Sequence, residues 1–493
     1  MKSFIITRGG VLLTITLISL ALLTSSCEKY LAVQPSNIQA VSTYEDVKAL
    51  LGASLRTYRY GNDWNALNSS EGKLGVFYDI RISGEHLIPH FYSDDYDYTK
   101  YLDNWGGRNN RNDFYRSLNW IHPTIHEEIW SNYYRRIGFY NMIIQEVERH
   151  SSGDPVQDNM VLCEARVMRA WMFFRLMRFF SPYHLDKYGL PLNTDPDAVS
   201  SYNHSRQTQT ENYRFITSEL ESVLDCKTEP SPTYNIFFDQ RFVHALLAQI
   251  YLWKGDSGAK ESGDYAKAIG HARYVLEHGV SYDFTDRQKE GQDFGTYKDS
   301  GMAAVSVMED MYQYFQNIAG KPKWGLLQFP SQELYALYAD NDIRKTTYFS
   351  SDDQHIIKFA NSGYSWMIHF GTGAEMQLII AESLAREGKD SEATKALTDF
   401  GRTRYNGGYV LPEGLSPLEA ALRERRLEFC YEFCMRWLDM TRIQKGFTRL
   451  ALDKKDGSSY TLKDGDFRFA MPIPQKAELK DNPIEQNPGW NNF

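Results

Sequence analysis

The chain is poor in cysteine, with 5 in 493 residues. Cys163, Cys226, Cys430 and Cys434 show neither CxxC nor Cys/His spacing, so no zinc site is expected. Each lies in or beside an apolar stretch. Cys430 and Cys434 are four apart on one predicted helical face, which suits packing better than bridging, so these thiols are expected to be buried and inert. Positive charge is also in deficit: the formal net charge is −9, and since residues 1–26 carry Lys2 and Arg8 and no acid, the remainder stands at −11. Such a surface has no general grip on a polyanion, and nucleic acid is not an expected partner. P-loop, GxSxG and HExxH patterns are missing, and neither cofactor nor metal is expected. The apolar run Val11–Leu23 has 13 residues, whereas a helix needs about 20 to cross a bilayer. Hydrophobic residues at 42% and charged residues at 24% are ordinary for a globular body.

Aromatics, by contrast, are plentiful: 33 Tyr, 27 Phe and 10 Trp. That exceeds what a core needs and points to a surface that uses flat, amphipathic faces. At the N-terminus, Lys2 and Arg8 precede the short apolar run, and Thr24-Ser25-Ser26-Cys27 follows it. This is the order of a secretion signal. The small residues ending in cysteine resemble a bacterial lipobox, although Thr24 stands where Leu is usual. Residues 1–26 are therefore expected to be removed and Cys27 to carry the lipid, with more than one acyl chain giving stable anchoring.

Two segments align without gaps: Ala248–Gly255, "AQIYLWKG", and Ala381–Gly388, "AESLAREG". Both continue with an alanine five residues after a glycine, Ala268 after Gly263 and Ala393 after Gly388, the first after an insertion of eight residues. Small residues permit close approach of facing helices while glycine ends the first of them. The pattern resembles the tetratricopeptide hairpin. Periodic helices are also predicted at Glu128–Val147 and Asn159–Phe180. The second is apolar nearly all round and hence central, with Arg166, Arg169, Arg175 and Arg178 reaching structural partners at its edges. Ser416-Pro417-Leu418-Glu419 starts another helix with a capping box, and its apolar period runs to about Phe433. Between these lie long aperiodic stretches, Asn62–His126, Asp283–Met376 and Lys445–Phe493, of a length that usually signals function.

The order of pieces resembles the SusD/RagB family of surface nutrient-binding lipoproteins of Bacteroidota. The resemblance runs through "CEKYLAVQP" from Cys27, "IWSNYYRRIGFYN" from Ile129, and "EARVMRAWMFFRLMRFF" from Glu164 with Gly189-Leu190-Pro191-Leu192. It continues through "RFVHALLAQIYLWKGD" from Arg241, Asp342-Ile343-Arg344 and "AEMQLIIAESLAREG" from Ala374. It closes with "RERRLEFCYEF" from Arg423, Arg436-Trp437, and "MPIPQKAEL" with "NPIEQNPGW" between Met471 and Trp490. The chain departs from the family after Glu432, where Gly and one residue fewer are common before Arg-Trp, and at Ala32, which replaces a usual Asp. The resemblance implies a mostly α fold. It would be an α/α superhelix of tetratricopeptide-like hairpins with long irregular loops and few short strands, forming one unit over residues 27–493. The scaffold would occupy about 128–280 and 374–445, and a loop-rich ligand region about 62–126 and 283–373. It further implies a non-catalytic, lipid-anchored receptor on the outer membrane that captures oligosaccharide or polysaccharide for a SusC-like TonB-dependent transporter.

The segment Tyr96–Trp120 suits that chemistry. Tyr96, Tyr98, Tyr101, Trp105 and Trp120 offer ring faces to sugar C–H groups, while Asn104, Asn109 and Asn110, with Arg108 and Arg111, can pair with hydroxyls. Gly106-Gly107 would let the loop turn so that the Trp105 indole stays exposed. By regional analogy with the family, Tyr297, Tyr312, Tyr314 and Trp324 are further candidates. Asp94, Asp95 and Asp97 are expected to face the loop arginines, and they lack the Gly and bidentate Glu of a calcium loop. Two other functions remain open: a secreted helical glycosidase, which needs two carboxylates facing each other across a cleft, and a receptor for peptides or another nutrient.

Overall fold

The structure, a computed structural model, describes residues 41–60, 89, 91–97, 99, 117–196, 205–226, 240–278, 306–308, 329–352, 354–356, 358, 367–369, 371–432, 434–475 and 484–491. Among these are twelve α-helices and two small antiparallel sheets, so the mostly helical expectation holds.

The central helix is the one with no polar face. Asp154 accepts a hydrogen bond from the Val156 N–H (2.9 Å) and Pro155 takes the first position, which starts α3 at Pro155–Phe180. From Val161 onward most of it is buried. It packs between α2 (Ile125–Arg149) and α4 (Gln209–Glu221), with α1 (Tyr44–Tyr60) behind α2. Of its arginines, Arg169 makes the expected buried ion pair. Arg169 donates to Glu219 (2.9 Å) and to the Asn141 side-chain oxygen (2.9 Å). Arg175 and Arg178 lie over the rings of Trp171 (5.3 Å) and Phe174 (4.7 Å).

The two aligned segments are the first helices of successive hairpins. They comprise α5 (Gln240–Lys254) with α6 (Asp264–His278), and α9 (Gly373–Arg386) with α10 (Asp390–Gly401). Helix α6 packs on both α5 and α9, and α9 packs on α10 and on α11 (Pro417–Glu428), which makes a continuous stack. Ala248, Ala268, Ala381 and Ala393 are fully buried at its contacts. The two glycines serve different ends. A Cβ on Gly255 would lie 2.5 Å from the Tyr265 ring, so that position needs close approach, whereas Gly388 has φ +73° and supplies the left-handed turn after α9. In the longer first loop the Lys254 ammonium binds Glu261 (2.7 Å) and Asp264 (2.9 Å) and closes the insertion.

Two short helices, α7 (Gln332–Leu337) and α8 (Ile343–Tyr348), lead into the second hairpin. The triplet Asp342-Ile343-Arg344 explains itself there: Asp342 caps α8 by accepting from the Arg344 N–H (3.0 Å), and the same carboxylate receives the Arg344 guanidinium. That guanidinium is wholly buried and also meets Glu424 (2.7 Å), Glu428 (3.0 Å) and the Tyr405 hydroxyl (2.9 Å). Arg404 adds a second cation on Glu428 (2.7 Å). On the other side of α11, Arg425 pairs with Asp439 (3.1 Å), and Arg442 joins Asp439 (2.7 Å) to Glu382 of α9 (2.7 Å). Buried charge of this kind survives only when each carboxylate meets a partner, and the "RERRLE" string contributes Glu424, Arg425 and Glu428 to these pairs.

Helix α11 begins as predicted, with Ser416 and Glu419 in a reciprocal capping box, but ends at Glu428 rather than near Phe433. Tyr431 (φ +65°) and Cys434 (φ +53°) turn the chain through left-handed conformations before α12 (Met435–Ile443). Cys430 and Cys434 are buried, but they do not share one helix face. Cys434 holds a backbone geometry for which glycine is the usual choice. In the stretch expected to be irregular after Lys445, β3 (Phe447–Leu450) pairs with β4 (Ser459–Leu462), and a 3₁₀ turn follows at Phe467–Phe469. The strands β1 (Ser306–Met308) and β2 (Met367–His369) form the other pair. The C-terminal motif docks on the end of α3: the Asn487 side chain donates to the carbonyls of Phe180 (2.8 Å) and Met471 (2.7 Å), and the Trp490 indole donates to the Ala470 carbonyl (2.8 Å).

Candidate functional site

Of the expected ligand residues, Tyr98, Tyr101, Asn104, Trp105, Arg108, Asn110, Tyr312, Tyr314 and Trp324 lie outside the described residues, as does the expected lipidation site Cys27. What the structure gives is how the segments that carry them are fastened. The first is described at 91–97 and again from Ser117, and the second is described from Phe329.

The two roots lie side by side. Tyr96 and Pro330 form an antiparallel bridge, the Asp97 N–H donates to the Phe329 carbonyl (2.9 Å), and the Ser331 N–H donates to that of Asp95 (2.7 Å). Described residues more than 200 positions apart therefore meet at one place. Tyr431, in its left-handed turn, fixes the junction by donating its hydroxyl to the Phe329 (2.8 Å) and Asp95 (3.2 Å) carbonyls.

Charge holds the junction to α11 and α12. Arg426 donates to Asp95 (2.8 Å) and Glu333 (2.8 Å) and lies 3.2 Å from Asp94, and Arg436 grips Asp94 through two hydrogen bonds of 2.7 Å. Burial alone would raise the Asp94 pKa, but Arg436 and then Arg426 outweigh it and hold the carboxyl at about 2. Asp95, deeper and with its other oxygen unpartnered, is pushed up, first by burial. The expectation that Asp94 and Asp95 face the loop arginines is thus corrected: their partners come from the scaffold. Engaged in this way, they also do not supply the facing carboxylate pair that glycoside hydrolysis needs. Among the described residues, no group of three or more His, Cys, Asp or Glu side chains is placed to hold a metal ion.

Tyr96 is corrected as well. It is 3% exposed, and its ring packs against Phe91 (5.9 Å) and Tyr431 (4.7 Å), so it is a core residue and not a platform. Trp120 has the same fate. Its indole N–H donates to the Tyr92 carbonyl (2.8 Å), and Arg449 (4.2 Å) and Arg468 (5.2 Å) lie over its ring. Arg449 fastens the far root by donating to the carbonyls of Leu118 (2.7 Å), Phe91 (2.6 Å) and Ser117 (2.9 Å). Arg426, Arg436 and Arg449 are thus positioning residues that were not singled out from the sequence. The arginine-rich string was visible, but nothing local to it names partners some 330 residues away.

A cavity of about 30 Å³ lies between α3, α5, α9 and the turn after α11, lined among others by Arg175, Arg178, Gln249, Glu375 and Glu432. It has room for one or two waters, not for a sugar ring. Any larger ligand must meet the chain elsewhere. None of the described helices is long and apolar enough to cross a membrane.

Two family models match the chain, "Starch-binding associating with outer membrane" over residues 89–252 and "SusD family" over residues 373–490. A SusD-like protein of Bacteroides ovatus is 23% identical over 193 residues, which cover 38% of this chain and 30% of that relative's length. A SusD superfamily structure from Bacteroides thetaiotaomicron is similar with a TM-score of 0.63 at 19% identity, covering 91% of this chain and all of the other. Surface glycan-binding protein A from Bacteroides uniformis is similar with a TM-score of 0.61 at 19% identity, covering 90% of this chain and 99% of the other. With one model meeting the chain across α2 to α5 and the other from α9 to the docked C-terminus, the chain belongs to the SusD/RagB family.

Proposed function

We propose that this chain is a surface glycan receptor that binds oligosaccharide without cleaving it and passes it to a SusC-like TonB-dependent transporter, tethered to the outer membrane through Cys27. The observation that carries the reading is the shared root at Tyr96 and Pro330. It brings together the described ends of two stretches rich in Tyr, Trp, Asn and Arg, on a scaffold held by buried ion pairs. Rings on a rigid base lose little conformational freedom when a sugar stacks on them, and amides and guanidinium groups fix its orientation through hydroxyls. Neighbours whose names state a ligand class, surface glycan-binding protein A among them, lend the same direction. The engagement of Asp94 and Asp95 by arginine counts against that pair as the carboxylates of a glycosidase. Tethering keeps receptor and transporter at high effective concentration, so modest contacts between them suffice.

The test is an array of oligosaccharides and peptides probed with the purified chain, followed by chromatography of the bound sugars. Retention of an intact oligosaccharide supports the proposal. Release of shorter products would make the chain a hydrolase, and binding confined to peptides would make it a receptor of another class. Isolation from gently solubilised outer membranes should bring down a large barrel protein; a lone monomer would argue against delivery.

A further inference from the structure

Helices α5 and α6 bring three histidines and two tyrosines together. His244 on α5 and His271 on α6 face each other with their Nδ1 atoms 2.8 Å apart, and both rings are partly exposed. Each is also stacked on a tyrosine. His244 lies on Tyr274 (3.7 Å between centroids, 15° between planes), which stacks in turn on His278 (4.1 Å), and His271 lies parallel to Tyr251 (5.8 Å, 2°). The tyrosines are themselves tied down. Tyr274 donates its hydroxyl to the Gln240 side-chain oxygen (3.0 Å), and Tyr251 donates to Glu221 of α4 (2.6 Å). Lys267 sits over the Tyr251 ring (4.8 Å), and its electrostatic effect on His271 opposes that of Glu221. The two imidazoles are therefore held toward each other by stacking, with neither engaged by a carboxylate among the described residues, and with water able to reach them.

A hydrogen bond between two imidazole nitrogens needs one proton: one Nδ1 donates it and the other offers a lone pair. Paired imidazoles are equally the ligands that late first-row metal ions take up. We propose that His244 and His271 form a two-imidazole site for a divalent ion of the nickel, copper and zinc group, bound between their Nδ1 atoms and linking α5 to α6. The donor imidazole passes its proton from Nδ1 to Nε2 through solvent, so both Nδ1 lone pairs meet the ion and no net proton is released. With metal–nitrogen bonds of about 2.0–2.1 Å, two ligands stand about 2.9 Å apart at a right angle and about 3.3–3.4 Å apart at a tetrahedral one. The rings, at 2.8 Å, need to part by about 0.6 Å at most. Two protein ligands make this an exchangeable site completed by water, not the closed site of a structural zinc. Bound there, the ion fastens the first hairpin, and it does so whatever the loops bind.

The full-length chain, free of any histidine tag, is titrated calorimetrically with Ni²⁺ and with Zn²⁺ at a pH of about 7.5, where an imidazole of ordinary pKa is neutral. His244→Gln, His271→Gln and, as a control at an exposed histidine, His184→Gln are titrated alongside. The wild type and His184→Gln should bind the ion with equal affinity. Each variant of the pair should bind it about tenfold or more weakly, because a ligand already in place raises the effective concentration of its neighbour. Two readings on the wild type alone hold even where a variant fails to fold. Excess Ni²⁺ should raise its Tm by a few degrees, and electron paramagnetic resonance of its Cu²⁺ complex should show two nitrogen ligands. No saturable binding by the wild type, undiminished binding by either folded variant of the pair, or a copper spectrum with fewer than two nitrogens would overturn the proposal and leave the pair a hydrogen bond between helices.

Discussion

Replacing Arg426 with methionine tests whether the loop roots are held by charge. The guanidinium is 7% exposed at the side chain and makes hydrogen bonds of 2.8 Å to Asp95 and to Glu333. Glu333 is exposed and loses little when its partner goes. Asp95 is not: its side chain is 2% exposed and its next cation, Arg436, stands 3.9 Å away and is already committed to Asp94. Arg426→Met therefore strands a buried carboxylate, a change that typically costs about 3–5 kcal/mol. Asp95→Asn in the same chain removes the stranded charge, so the double variant should recover much of the loss, with a coupling of about 2 kcal/mol or more. Arg426→Lys should rescue only partly, because an ammonium cannot reproduce the fork that spans Asp95 and Glu333. Guanidinium-induced unfolding of the wild type, Arg426→Met, Asp95→Asn, the double variant and Arg426→Lys gives the energies, and limited proteolysis gives the location, with cleavage between 98 and 116 rising first in Arg426→Met. A loss below about 1 kcal/mol, or a double variant no more stable than Arg426→Met, would refute the reasoning.

Other expectations follow from single positions. Gly255→Ala places a methyl 2.5 Å from the Tyr265 ring and should cost about 1–3 kcal/mol through displacement of that ring; an unchanged melting temperature would mean that the hairpin is looser than it looks. Burial by itself raises Glu428, but Arg404, Arg344 and Lys358 prevail and hold it at about 2, below its ordinary 4.5. The stabilisation, about 3 kcal/mol, is therefore fully present above pH 4.5 and is lost as pH falls toward 2. Glu424 beside it is pushed up by burial and acts in the opposite sense, so the check is the flatter acid limb expected of Glu428→Gln in unfolding midpoints between pH 6 and 3. Cys27→Ala should shift the protein out of the outer-membrane fraction, and unchanged fractionation would remove Cys27 as the anchor.

Most of the scaffold was legible in the sequence because it depends on local signals. The capping box at Ser416, the small residues of the two hairpins and the all-apolar α3 each announce themselves within about twenty residues. The end of α11 was not legible, because Phe429 to Phe433 keep an apolar period while the chain turns through Tyr431 and Cys434 without glycine. Tyr96 and Trp120 misled for a related reason. A tyrosine or tryptophan in a polar, aperiodic segment looks available for stacking, yet both are covered by groups from distant segments, Tyr431 in one case and Arg449 with Arg468 in the other. The clamp on Asp94 and Asp95 was hidden in the same way. The acids and the "RERR" string were both visible, but only the folded chain pairs them.

The most direct measurement is calorimetric titration of the wild type and Trp105→Ala with an oligosaccharide retained from the array, together with a thermal melt of each. Loss of one ring contact, about 0.5–1.5 kcal/mol beyond area burial, plus the indole's own burial, predicts roughly tenfold or more weaker binding at about 1.4 kcal/mol per decade, with an unchanged melt. Undiminished affinity in the variant, or a stability loss of about 3–5 kcal/mol as for a core tryptophan, would show that Trp105 is not a sugar platform.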